Sequence, residues 1–235
     1  LWSSGNGYIG YHLAKKWINI GWEVTSFSKR KPKSIRTLKK VKYLTGDLIK
    51  KKELKVLKKK FDYVVNAAGV VDHSANENVF KAHYLGCKNL SDFFLKKKIK
   101  LFLQIGSCVE YGPQKSPQKE NFKSKMLDLK SMYSKGKFAA SQYLMQLHDK
   151  YNFPIIVFRL YLNYGPNQDF NRFLPVIIDG CVRNKKFPCS SGMQYRSFTY
   201  IDDLVNAIII ALKKPELSGN IFNIGNSKPV KIKKI

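Results

Sequence analysis

The chain has 235 residues, 44% of them hydrophobic, and a formal net charge of +27 from 43 Lys and Arg against 16 Asp and Glu. That length can bury one substantial core and carry one nucleotide-binding domain with a small appendage. No run of about 18 apolar residues is present to span a bilayer, the N-terminus lacks the basic-then-apolar layout of a secretory leader, and neither Cys87, Cys108, Cys181 and Cys189 nor the four histidines fall at disulfide or metal-ligand spacings, so a cytoplasmic protein without disulfides or metal is expected.

The chain opens within a first strand and turns at Ser3-Ser4-Gly5-Asn6-Gly7-Tyr8-Ile9-Gly10. Glycines at 5, 7 and 10 let a backbone turn tightly, approach a pyrophosphate and seat a helix whose free N–H groups face the anion. Apolar spacing of three and four predicts that helix over residues 8–20, with further helices over 79–95 and 132–147. Short runs rich in β-branched or aromatic residues predict buried strands at 22–27, 41–44, 61–66, 100–105 and 154–160. Strands alternating with helices imply an α/β, doubly wound parallel sheet with ligands beyond the carboxyl ends of its strands. From residue 167 the pattern loosens into a polar stretch at 184–196, a helix near 201–212 and a strand at 220–224, expected on the substrate side. Starting inside a strand without methionine and stopping at Lys234-Ile235, the sequence reads as a piece of a longer chain.

Lysines at 50–52, 58–60 and 96–98 stand beside apolar residues at helical spacing, as on the solvent faces of separate helices. No single basic stripe interleaved with aromatics emerges, so neither nucleic acid nor an anionic membrane is expected as a partner, although anionic substrates are attracted.

Tyr133-Ser134-Lys135-Gly136-Lys137 puts a tyrosine and a lysine four apart on one helix face. An ammonium there stabilises phenolate and lowers the tyrosine pKa toward values useful for proton transfer. Tyr84/Lys88 and Tyr111/Lys115 share the spacing, but Gly112-Pro113 opposes a helix after Tyr111, and Tyr84 precedes the strand that should carry its partner. Only Tyr133 both follows Ser107, at the tip of strand 100–105, and begins a helix. Cys108 reads as a small packing residue and not a nucleophile. Asp202 and Asp203 read as a helix N-terminus, where carboxylates are favoured.

These residues resemble the extended short-chain dehydrogenase/reductase family, and within it the NAD-dependent epimerase/dehydratase branch acting on nucleotide sugars. Besides the glycine turn, the resemblance includes Gly46-Asp47-Leu48, Asn66-Ala67-Ala68-Gly69, Ser107-Cys108-Val109-Glu110-Tyr111-Gly112, Tyr133/Lys137, residues 159–166 (RLYLNYGP), 196–203 (RSFTYIDD) and Asn223-Ile224-Gly225. It implies a Rossmann-type NAD(P)-binding domain over residues 1–166, a mainly substrate-binding region over 167–235, and a homodimer packed through the helices around 79–95 and 132–147. Tyr133 would exchange the proton at the sugar oxygen, Lys137 would hold the nicotinamide ribose and depress the Tyr133 pKa, and Ser107 would bond the same oxygen. The cofactor would lie against Gly5, Gly7, Tyr8, Ile9 and Gly10, with Asp47 and Leu48 at the adenine and Ala67, Ala68 and Gly69 at its middle. Substrate contacts would come from Ser107, Cys108, Asn163, Asn171 and Arg172, with Arg196 at the diphosphate.

The departures narrow this reading. Ser4 replaces the family's usual first glycine, His83 stands where many relatives carry asparagine, and Leu162 replaces another common asparagine. The second strand ends in Phe27-Ser28-Lys29-Arg30, with no carboxylate to repel a 2′-phosphate and two cations to receive one, so NADP is expected over NAD, held by Ser28, Lys29 and Arg30. Cys108 and Val109 stand where 4,6-dehydratases of the family carry Asp-Glu, which argues against that class. A 4-ketoreductase and a 4-epimerase remain, with the ketoreductase favoured. A non-catalytic nucleotide- or polyanion-binding protein of the same fold is the further alternative.

Overall fold

The computed structural model describes residues 1–3, 6–69 and 76–235. Ser4 and Gly5 of the glycine turn lie outside the described residues, so the expectation for Gly5 stays with the sequence. The large sheet is built from β1 (Trp2–Ser3), β2 (Val24–Ser28), β3 (Val41–Thr45), β4 (Tyr63–Asn66), β5 (Leu101–Ser107), β6 (Ile155–Leu160) and β10 (Asn220–Ile224). Its order is β10-β6-β5-β4-β1-β2-β3, every neighbouring pair is parallel, and the order reverses between β1 and β4. The doubly wound parallel α/β sheet read from the alternation of elements is therefore present, in the Rossmann-type form that the resemblance implied.

Side chains alternate across this sheet, so consecutive buried residues serve opposite faces. Val65, Leu103 and Ile156 join Trp2, Leu13 and Trp17 in one core, covered by α1 (Tyr8–Asn19) and α5 (Ile201–Leu212). Val64, Phe102 and Val157 join Phe27, Phe94 and Leu144 in the other, covered by α2 (Glu77–Leu95) and α3 (Met132–Tyr151). Gly136 lets α3 approach α2 closely, since a Cβ there would lie 3.2 Å from the Phe80 backbone.

Two differences from the expected elements have physical causes. Lys51 and Lys52 begin a 3-10 helix (Lys51–Val56), while residues 58–60 and 96–98 lie in loops, so these lysines are exposed without sitting on α-helix faces. The buried pair Leu54 and Leu57, three apart, matches the 3-10 period as well as the α-helical one. The second difference is α4 (Phe173–Val182), a helix where the loosened pattern beyond residue 167 offered none. Pro175 falls in its first turn, where no backbone donor is needed, and apolar residues on every side hide the 3.6 period.

Beyond β6, β7 (Leu162–Tyr164) pairs in parallel with β9 (Phe198–Tyr200), and β8 (Tyr195–Arg196) pairs antiparallel with β11 (Val230–Lys231). α5 and β10 return the chain to the large sheet. Asp202 and Asp203 occupy the first turn of α5, as their helix-start reading required.

Candidate active site at the carboxyl ends of the strands

The tip of β5 is fixed from below. Ser107, its last residue, caps the turn Cys108–Tyr111 in a capping box: Val109 N–H donates to Ser107 Oγ (3.5 Å), and Ser107 N–H donates to the Glu110 carboxylate (2.8 Å). Glu110 is fully buried and meets Arg159 Nε of β6 at 3.1 Å. Burial pushes its carboxyl up, while Arg159 and the Ser107 N–H oppose the rise. The Arg159 guanidinium lies 4.5 Å over the Tyr111 ring, and the Tyr111 hydroxyl donates to Asn223 Oδ1 of β10 (2.8 Å). Three strands thus hold Ser107 in place.

Across from Ser107, Ser131 caps α3 through the Ser134 N–H (3.1 Å) and sets Tyr133 in the first turn. The Tyr133 phenol shares a hydrogen bond with Ser107. One turn on, Lys137 is buried and donates from Nζ to the Ile105 carbonyl at 2.6 Å, with its ammonium 6.0 Å from the Tyr133 ring centre. The three residues expected to act together are brought together. The expected pKa depression is reversed: burial raises the Tyr133 phenol to about 12, with the Ser107 bond and the Arg172 charge only partly offsetting it. Burial also lowers Lys137 to about 8, against the attraction of Glu110. Desolvation is the largest cause of both shifts.

His83 of α2 completes the floor. Its ring stands edge-on to Tyr133 with centroids 4.9 Å apart, and it is almost wholly buried. Gly69, at φ +141°, leaves it room, since a Cβ there would sit 1.8 Å from His83 Cε1. Neither Glu110 nor His83 was given a site role from sequence, although Ser107-x-x-Glu110 is a capping-box pattern that points to the first.

On the cofactor side, α1 has Gly7 as its N-cap, with no side-chain cap and no acid in its first turn, leaving the N–H groups of Tyr8, Ile9 and Gly10 without an intrahelical acceptor just after β1. Ser28 ends β2 with its hydroxyl buried and, among the described residues, without a partner. An uncapped helix start beside an orphaned hydroxyl fits an anionic dinucleotide. Ala67 and Ala68 follow β4, and Ala68 N–H is held by Asn66 Oδ1 (3.2 Å). Two expected contacts change character. Lys29 Nζ is engaged by Asp47 at 3.0 Å, which leaves it less ready for a 2′-phosphate, whereas Arg30 is exposed. Burial raises Asp47, but the Ile49 N–H and Lys29 outweigh it and hold the carboxyl below its usual range. The Leu48 side chain is buried in the core with α2, so only its backbone is left to face an adenine.

On the substrate side, Arg172 caps α4 through its backbone and its charge reaches Tyr133. Asn171 is exposed beside it. Asn163 on β7 donates to the Tyr161 carbonyl (3.0 Å), and among the described residues its Oδ1 is buried without a partner. Arg196 is exposed on β8, donates to the Tyr195 carbonyl (2.8 Å) and sends its charge toward Cys108. Burial raises the Cys108 thiol, as suits a packing residue. No group of three or more metal-ligating side chains occurs among the described residues, and no helix there is long and apolar enough to cross a membrane.

The family model described as the NAD dependent epimerase/dehydratase family matches residues 5–225. A dTDP-D-glucose 4,6-dehydratase of Dictyostelium discoideum is 29% identical over 258 aligned positions, covering 96% of this chain and 57% of the relative, so the chain spans little more than half of that protein. Among solved structures, a dTDP-glucose 4,6-dehydratase from Bacillus anthracis in complex with NAD superposes with a TM-score of 0.88 at 19% identity, over 99% of this chain and 77% of the other. A UDP-N-acetylglucosamine 4-epimerase from Methanobrevibacter ruminantium, in complex with UDP-N-acetylmuramic acid, gives 0.89 at 22%, over 99% and 78%. At these identities the superpositions show the shared fold.

Proposed function

From the premise that this chain belongs to the NAD-dependent epimerase/dehydratase family, we propose that it is an NAD(P)-dependent enzyme of nucleotide-linked sugars, acting as a 4-ketoreductase. The observation that carries the reading is the meeting of Ser107, Tyr133 and Lys137 beside the switch point of the sheet. A bound nicotinamide supplies the hydride. Tyr133 gives its proton to the sugar oxygen, Ser107 orients that oxygen, and Lys137 sits behind the phenol to receive the nicotinamide ribose hydroxyls. A phenol held protonated at neutral pH, as burial holds Tyr133, suits donation to a ketone oxygen better than abstraction from an alcohol. Cys108 and Val109, at the tip of β5, supply no carboxylate for eliminating water, which weighs against a 4,6-dehydratase. The end of β2 carries Arg30 and no acid, and favours NADP. A homodimer packed through α2 and α3 belongs to the same reading.

A 4-epimerase would use the same three residues, and the missing carboxylate favours it equally over a dehydratase. The two are told apart by stoichiometry: a ketoreductase oxidises one NADPH per 4-keto-6-deoxy sugar nucleotide, whereas an epimerase interconverts the 4-hydroxy epimers with no net change in cofactor. Tyr133→Phe should lower turnover at least about 100-fold while NADPH still binds. Turnover retained by that variant would refute the proton role.

A further inference from the structure

Away from the reacting centre, two loops that leave the sheet at different strands are locked to each other. Arg36 lies on the short turn Ser34–Arg36, eight residues past the end of β2, and is 5% exposed although it is an arginine on a surface loop. Its guanidinium forks onto Asp169 (3.1 and 3.4 Å) and donates to the Asn167 carbonyl at 2.6 Å. Lys33 adds a second cation on Asp169 at 2.9 Å. Asn167 takes a left-handed conformation, φ +62°, to present that carbonyl, and His12 of α1 meets the neighbouring Pro166 carbonyl at 2.8 Å. Burial raises the Asp169 carboxyl, but the Lys33 and Arg36 bonds outweigh it and keep it ionised.

What the second loop carries gives this lock a consequence. The Asp169 carbonyl accepts the Arg172 N–H at 3.0 Å, so the residue that Arg36 grips also fixes the start of α4. The Arg172 charge acts on the Tyr133 phenol. A line of hydrogen bonds therefore runs from the segment after β2, through Arg36 and Asp169, to the Arg172 backbone, and the Arg172 charge extends it electrostatically toward Tyr133. A buried guanidinium cannot be left without its carboxylate cheaply, so the pair ties the two loops together.

We infer that Arg36 and Asp169 are positioning residues that couple the two halves of the site: ordering of the β2 loop by a dinucleotide sets Arg172, a substrate-side contact, for the second nucleotide, and the reverse by linkage. This rests on the dinucleotide and nucleotide-sugar reading above. The test is a binding experiment without turnover. UDP and dTDP are titrated by calorimetry against the protein, alone and saturated with NADP+ or NAD+, for wild type, Arg36→Gln, Asp169→Asn and the charge-exchanged pair Arg36→Asp/Asp169→Arg. Wild type should bind a nucleoside diphosphate at least about 5-fold more tightly when the dinucleotide is present. Both single variants should reduce that ratio to within about 2-fold, and the exchanged pair should recover part of it. Asp169→Asn is isosteric and keeps an acceptor for Arg36, so it carries the test if Arg36→Gln does not fold. A wild-type ratio of one, or a ratio that survives both single changes, overturns the coupling and leaves the proposed function standing. A wild type that binds neither a dinucleotide nor a nucleoside diphosphate overturns both.

Discussion

Tyr133 and Lys137 share a helix face and a burial, and the burial moves their titrations in opposite directions. The lysine has the more accessible consequence. Its folded pKa of about 8 lies below the ordinary 10.5, so between those values the unfolded chain holds a proton that the native one has released. Stability then rises with pH across that window. Above pH 10 the raised phenol acts in the opposite sense, because the native state then keeps a proton that the unfolded chain loses. In urea unfolding, Lys137→Met should therefore exceed wild type by a margin that shrinks from pH 7.5 to pH 10, by about 2 kcal/mol. A margin independent of pH would contradict the burial of a strained ammonium. The positions of both residues were legible from a four-residue spacing and the nearness of Ser107 in the chain; their pKa values were not, because desolvation depends on the packing of α3 against β5 and leaves no mark in a local pattern. His83 escaped assignment for a similar reason, since its contact with Tyr133 depends on a glycine at 69 and another at 136.

The start of α1 has no side-chain cap and no first-turn acid, where most helices would carry one or the other. Gly7 has φ −80° and ψ 177°, a conformation open to any residue. Gly7→Asp should therefore leave the fold intact, raise the thermal midpoint slightly through a new cap worth a few tenths of a kcal/mol, and weaken NADPH at least about 10-fold by setting a carboxylate where the pyrophosphate belongs. Thermal melts and a nucleotide titration check both halves; unchanged NADPH affinity would move the anion site elsewhere. Elements of this kind were readable where one period dominated: the five strands read between residues 22 and 160 and the helices α1, α2, α3 and α5 follow their apolar spacing. α4 was not readable, because an apolar surround and Pro175 erase the period, and the paired stretches β7 with β9 and β8 with β11 are only two or three residues long. The Arg36–Asp169 lock joins positions 133 apart, a distance at which composition and spacing carry no signal.

At the scale of the molecule, the +27 charge is the dominant fact. Half of the ten ion pairs among the described residues are exposed on both sides, and the lysine clusters lie in a short turn after β3 and in the loops that lead into β4 and β5, so the cations mainly repel one another. Raising NaCl from about 20 to about 200 mM shortens the screening length from roughly 20 Å to roughly 7 Å and should raise the calorimetric Tm; a falling Tm would show that attractive pairs outweigh the repulsion. The same field draws in anionic nucleotides, and their association rate should fall over that range of salt.

The most direct measurement is a fluorescence titration of NADPH and NADH, side by side, against wild type, Tyr133→Phe and Gly7→Asp. Saturable binding by wild type and Tyr133→Phe alike, tighter for NADPH and weakened by Gly7→Asp, is the outcome that the uncapped start of α1, Arg30 and the Ser107–Tyr133–Lys137 constellation require. Preference for NADH would remove the role given to Arg30. Binding of neither nucleotide, or binding indifferent to Gly7→Asp, would contradict a dinucleotide site at the switch point between β1 and β4.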